Sequence, residues 1–382
     1  MSIASSGPAD RLRSSRSSLK WTRYAEGVLP LFVAEMDYPV SERIRQAITE
    51  RVATSDLGYI DSAGPLADAF AQFAARRWQW EVDPATVRIA TDVSVGIVET
   101  LRYGVPAGSP VVVTSPVYPP FFELVDEARL PVVDVPMLES SRGWRLDLGR
   151  IEEAFIGGAR AMLLCNPHNP LGLPHDREIL TELAMLAARH DVLIIADEVH
   201  APLTYHAVTF TPFAAVAVEL GVRSVTVTSA SKGWNMAGMK CAVMVPSEAR
   251  ALSLLDGLPQ EVASRTSILG LHANVAAYGD EEWLDATITK IMHNDTLLAS
   301  LLARRLPIVH YRRPTATYLG WLDFRDLGLG LDPAERVLQD ARVALNSGPS
   351  FGTAGRGHAR INFACAPSVL EEAVERMAEA FS

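Results

Sequence analysis

Val192-Leu193-Ile194-Ile195-Ala196-Asp197-Glu198-Val199-His200 sets five consecutive apolar residues directly before two acids. A strand with one wet face alternates apolar and polar residues. An unbroken apolar run of this length fits a strand covered on both faces, the habit of parallel sheets. Six further short apolar or β-branched runs surround it, at 86–90, 110–114, 130–135, 160–165, 223–228 and 241–245. Stretches of helical period lie between them, at 95–104, 121–128 and 177–190. The alternation predicts an α/β, doubly wound fold around a mostly parallel sheet of about seven strands. The order of the strands is left open, and one or two are allowed to run antiparallel.

Outside this region the pattern changes. Residues before about 45 are irregular, with Pro30 and Pro39 interrupting them. A long helical stretch at 281–305 is followed by strand-like pieces at 318–324 and 359–364, with helical patterns at 332–342 and 368–381. This predicts a large α/β domain over 45–275 and a smaller α+β domain built from 1–44 plus 276–382.

The chain has 382 residues and a formal net charge of −10. An acidic chain without a basic block argues against nucleic acid or an anionic membrane surface as partner. The Ser/Arg-rich N-terminus lacks the apolar core of a secretory signal, and no apolar run approaches a membrane span, so a cytoplasmic location is expected. Three cysteines without a CxxC pair suggest neither a disulfide framework nor zinc, and the histidines have no metal-ligand spacing. Only four lysines occur, Lys20, Lys232, Lys240 and Lys290, so chemistry that demands a lysine has few places to be.

Ligands of open α/β sheets bind beyond the carboxyl ends of the strands. The residues that follow five of the predicted strands are therefore informative. They are Thr91, Asp92 and Ser94; Ser115, Pro116 and Tyr118; Asn166 to Gly172; Asp197, Glu198 and His200; and Ser229, Ser231, Lys232 and Asn235. An acid, a lysine, an amide, hydroxyls and an aromatic ring thus gather at one edge. A lysine among hydroxyls near a helix N-terminus suits a phosphate, although GxxxxGK[ST] is absent. Ser229-Ala230-Ser231-Lys232 matches the SxxK of serine acyl-transferases, but no lysine is followed by the Thr-Gly those enzymes need. A lysine able to form a Schiff base, with an acid set against a pyridinium nitrogen, is the pattern of pyridoxal-phosphate enzymes.

On these residues the chain resembles fold-type I pyridoxal-phosphate enzymes of the aminotransferase class I/II superfamily, and within it the MalY/PatB cystathionine β-lyase group. The matching segments are Ser17 to Trp21, Val33-Ala34-Glu35-Met36-Asp37, Asn166 to Gly172, Ala196 to His200, Ser229 to Gly238 and Arg360 to Cys365. Leu171 departs from the usual threonine of the Asn-Pro-x-Gly turn.

The resemblance implies a role for each matching residue. Lys232 would hold the cofactor as a Schiff base and move the Cα proton. Asp197 would pair with the pyridine N–H, and Asn169 would bond the phenolic oxygen. Tyr118 would stack on the ring or else belong to the core. His200 stands where aminotransferases commonly carry a tyrosine, and would bond near the cofactor or only satisfy its turn. The phosphate would rest on Val93, Ser94, Ser229, Ser231 and Lys240, with Tyr59 reaching across from the neighbouring subunit of a homodimer. Arg360 would bind the substrate α-carboxylate, with Asn169 and Ala34 beside it. The implied activity is a C–S β-lyase on an amino-acid thioether that yields thiol, pyruvate and ammonia. The alternatives are an aminotransferase on the same scaffold and a regulatory protein that acts by binding a partner.

Overall fold

The computed structural model describes residues 8–141 and 143–381. The start of the Ser/Arg-rich segment lies outside the described residues. All seven predicted runs form strands: β1 Arg88–Ala90, β2 Val111–Val113, β3 Val132–Asp134, β4 Ala161–Cys165, β5 Leu193–Asp197, β6 Ser224–Thr228 and β7 Ala242–Pro246. They make one sheet in the order β1-β7-β6-β5-β4-β2-β3. Only β7 runs against its neighbours, pairing antiparallel with both β1 and β6.

Both faces of the sheet are covered, which accounts for the unbroken apolar runs. Leu193 and Ile195 of β5 pack in a core with Ile97 and Leu101 of helix Val93–Gly104 and with Phe121. Ile194 and Ala196 pack in a second core with Leu180 and Leu183 of helix Arg177–His190 and with Phe213. Successive side chains of one strand thus enter opposite cores.

A second sheet has four strands, β8 His310–Tyr311, β9 Leu319–Asp323, β10 Asn346–Ser347 and β11 His358–Asn362, in the antiparallel order β8-β9-β11-β10. The N-terminal arm is less irregular than its prolines suggested. Leu29–Pro30 pairs parallel with Val343–Ala344. Leu29 and Leu31 supply the N–H groups of that ladder, so Pro30 occupies the position that donates none. No helix among the described residues is long and apolar enough to cross a membrane.

The arm is tied down by cations. Arg16 donates to the carbonyls of Met36, Asp37 and Tyr38. The Lys20 ammonium, fully buried, meets Asp37 Oδ1 at 2.5 Å and the Glu35 carbonyl at 3.0 Å. Burial raises the Asp37 carboxyl, against the pull of Lys20. Lys20→Met leaves that carboxylate buried without its cation, and is expected to lower the unfolding free energy by about 3 kcal/mol or more. Adding Asp37→Asn removes the stranded charge, and urea unfolding of the double variant should recover about half of the loss.

Candidate active site

A cavity of about 230 Å³ opens at the carboxyl ends of the central strands. Val93, Ser94, Tyr118, Asn169 and Asp197 line it. So do His200, Ser229, Ser231, Lys232 and Lys240, from the other strand exits.

Asp197 ends β5 and Glu198 follows, and the alternation of extended backbone separates their roles. Asp197 lines the cavity, with Oδ1 accepting from the Val199 amide at 3.1 Å. Burial pushes its carboxyl up to about 6, while the Val199 amide and Lys232 oppose the rise. Glu198 is fully buried and accepts from the Phe213 amide at 2.7 Å and from Asn166 Nδ2 at 3.3 Å. Burial lifts it to about 8, so it is largely protonated at neutral pH and acts as a clamp on the Asn166 turn.

Lys232 stands four residues beyond the end of β6, and its Nζ donates to the Ala34 carbonyl at 3.0 Å. Burial lowers the ammonium to about 8; Arg360 adds to the shift, and Asp197 and Glu35 oppose it. A lysine at that value keeps a useful fraction of neutral amine near pH 7. The Ala34 carbonyl also accepts from the Tyr318 hydroxyl at 3.1 Å. Ala34 therefore contributes backbone at this point. Its segment is fixed by Asn362, which donates to the carbonyls of Val33 and Glu35, and by Asn235, which grips Met36 and Tyr38.

Arg360 comes from β11 of the second sheet. Its Nη1 donates to Asn169 Oδ1 and its Nη2 to the Phe32 carbonyl, both at 2.9 Å, and the guanidinium lies 5.1 Å over the Phe351 ring. Its Nε is buried without a partner, and no carboxylate among the described residues pairs with it. Burial lowers it to about 10, still protonated at neutral pH. The bond from Arg360 fixes the Asn169 oxygen, which turns the amide NH2 into the free end of that side chain.

His200 is buried and held neutral by burial and by the charges of Lys232 and Arg360; its Nδ1 has no partner. Its ring meets Tyr318 edge-on at 6.2 Å. Tyr118 packs edge-on against Phe121 at 6.1 Å, and burial, then Asp197, raises its phenol.

The anion end of the cavity is the N-terminus of helix Val93–Gly104, capped by Asp92 Oδ1 on the Val95 amide at 2.9 Å. The cap leaves the first-turn amides of Val93 and Ser94 for a ligand. Two of the residues expected at the phosphate already have partners within the chain. The Ser229 hydroxyl donates to the Cys241 carbonyl at 2.7 Å and accepts from the Ser231 amide, so it braces the turn on the cavity wall. Lys240 is paired with Asp92 Oδ2 at 2.6 Å, so an anion would share it with that carboxylate. Tyr59 lies outside the cavity of its own chain and is 97% exposed. Tyr318, Asn235, Asn362 and the cavity-lining Cys165 are site residues that sequence reasoning assigned no role. Asn235 and Asn362 lay inside segments already singled out, and that was their only signal.

Residues 26–377 match the family model of aminotransferases of class I and II. The chain belongs to this family. It is similar to the cystathionine beta-lyase of Corynebacterium glutamicum, with 36% identity over 95% of this chain and 96% of the relative. A solved structure from Corynebacterium diphtheriae, named as a candidate PLP-dependent beta-cystathionase, is 37% identical with a TM-score of 0.90, covering 97% of each chain. A PLP-bound chain from Clostridium difficile 630 is 27% identical with a TM-score of 0.90, covering 97% of this chain and 98% of that one.

Proposed function

We propose that this chain is a pyridoxal-phosphate-dependent carbon–sulfur β-lyase that releases thiol, pyruvate and ammonia from cysteine thioethers. The observation that carries the reading is Lys232, held near pKa 8 in one cavity with an ionisable Asp197, while Arg360 is buried beside it without a counter-ion. The near full-length likeness to a cystathionine beta-lyase supports it.

The residues fit the cofactor on their own chemistry. The open amides of Val93 and Ser94, the hydroxyls of Ser94 and Ser231, and the Lys240 cation suit its phosphate. Asp197 suits the ring nitrogen, and the Asn169 amide and the unpartnered His200 Nδ1 suit polar edges of the ring. When bound, pyridoxal phosphate supplies an aldehyde that condenses with amines and a ring that accepts the electron pair left at a substrate Cα.

Asp197, as a carboxylate, would hold a proton on the ring nitrogen and so favour that electron flow. Lys232, as a neutral amine, takes the proton from Cα; the departing thiolate then leaves Cβ with the bonding pair. Arg360 fixes the α-carboxylate in a two-point geometry and so aims the Cα–H bond. Tyr118, which lines the cavity, would give the cofactor an apolar wall with a polar tip. Tyr59 belongs to the phosphate contacts of a second copy, which makes the working form a homodimer, and the cytoplasm is its place.

The family model favours a second reading, an aminotransferase on an L-amino acid. There Lys232 would return the proton to the cofactor, and turnover would need a keto acid. Incubation with cystathionine separates the two. Pyruvate and thiol appearing at full rate without added keto acid supports the lyase, and strict dependence on the acceptor overturns it.

A further inference from the structure

Beyond the lysine's cavity lies a second, larger one of about 880 Å³, and Ala237 lines both. Its wall carries Arg16, Glu35, Glu42 and Arg45. Three of these four are already engaged. Arg16 is spent on the carbonyls of Met36, Asp37 and Tyr38. Arg45 and Glu42 pair with each other. Glu35 is different: half-buried, it forms no ion pair with any described residue. Its Oε1 accepts from the Ser18 hydroxyl at 2.7 Å, which fixes the carboxylate and leaves its other oxygen free. Its backbone carbonyl is pinned by Lys20 and by Asn362, so the residue is held from both ends. The residue before it is Ala34, whose carbonyl receives Lys232 Nζ. An oriented carboxylate without an ion-pair partner among the described residues therefore stands one residue from the carbonyl that receives Lys232, on the wall of a cavity with room for the part of a substrate beyond sulfur.

We infer that Glu35 determines the specificity for the leaving group, its carboxylate taking an ammonium carried by the departing thiol. This deepens the lyase reading and rests on it. The substrate class is a cysteine thioether whose second arm bears a cation, of which cystathionine is one member. A charge-assisted hydrogen bond to a carboxylate is stronger than a neutral one, and Glu35 and Ser18 are both partly buried. Serine hydroxyls from residues 15, 17 and 18 supply the polar remainder of that wall.

The test compares three synthetic thioethers on the holoenzyme. They are S-(2-aminoethyl)cysteine, S-methylcysteine and S-(2-carboxyethyl)cysteine, with cationic, neutral and anionic leaving thiols. The expected order of kcat/KM is cation, neutral, anion, with about tenfold or more between the first and the last. In Glu35→Gln, which keeps the acceptor for Ser18, the ratio of kcat/KM for aminoethyl over methyl substrate should fall about tenfold, through KM. Calorimetric titration of the Lys232→Ala holoprotein, with and without Glu35→Gln, should show the same loss in affinity for the aminoethyl compound. An unchanged ratio, whether both rates fall together or neither moves, overturns the assignment. So does a wild type indifferent to leaving-group charge. Failure of the lyase reading looks different: no pyruvate from any of the three without a keto acid.

Discussion

Lys232→Ala is expected to lower pyruvate release by about 10³-fold or more, because on the proposed function one substitution removes both the covalent anchor and the carrier of the Cα proton. No other lysine can stand in. Lys20 is buried against Asp37, Lys240 is paired with Asp92, and Lys290 is exposed with its ammonium 5.7 Å over the Tyr38 ring. Borohydride treatment of the wild-type holoenzyme should therefore fix the cofactor to one peptide, that containing Lys232, and the variant should yield none. The pH dependence has a definite sign. Burial lowers this lysine to about 8, and the neutral amine is the nucleophile. Capture of pyridoxal phosphate by cofactor-free protein should accelerate as pH rises, from roughly a tenth of the limiting rate at pH 7 to a plateau above about pH 9. Stopped-flow absorbance measures this directly. A rate that fell with pH over that range would mean that the amine titrates elsewhere.

The environment that tunes this lysine was partly legible before the structure. Asp197 was legible because an acid directly after a doubly buried apolar strand has few purely structural reasons to be there, and the strand's direction carries it to the ligand edge. The seven strands were legible for the same reason: Leu193 to Ala196 feed two cores by turns, so no polar residue interrupts them. The reversal of β7 was not legible. A strand buried on both faces reads alike in either direction, and its polarity is set by the chain that returns to it. The partners of Ser229 were not legible either. Its hydroxyl looks available in sequence, but it is taken up by Cys241, and the turn is held by Asn274, which lies 45 positions away in sequence. Glu35 was quoted within a motif yet given no role, because its meaning depends on neighbours distant in sequence: Glu42 and Arg45 pair with each other, Arg16 is taken up by carbonyls, and Ser18 orients the carboxylate. Tyr59 is 97% exposed on its own chain, so the role proposed for it depends on a second copy.

Arg360→Met is expected to lower kcat/KM by about 10²-fold or more while moving the unfolding midpoint little, and the contrast follows from how the guanidinium is held. Burying a cation without a counter-ion costs stability, here offset only by two neutral acceptors and an aromatic face. A methionine of similar length removes that charge, at the expense of leaving Asn169 Oδ1 and the Phe32 carbonyl without a donor. The two effects oppose each other, so stability should change by no more than about 1 kcal/mol in either direction. Binding has no such compensation. On the proposed function a substrate carboxylate would supply the charge that the fold withholds, in the two-point geometry a guanidinium allows. Arg360→Lys keeps the charge but loses the fork, and should fall between the wild type and the methionine variant. Replacing the substrate's α-carboxylate by an amide should cost the wild type about as much as the methionine substitution does, and should cost the methionine variant little. That double comparison, read as coupling in kcat/KM alongside urea unfolding, separates a carboxylate receptor from a structural arginine. A structural arginine would lose stability first and would treat acid and amide alike.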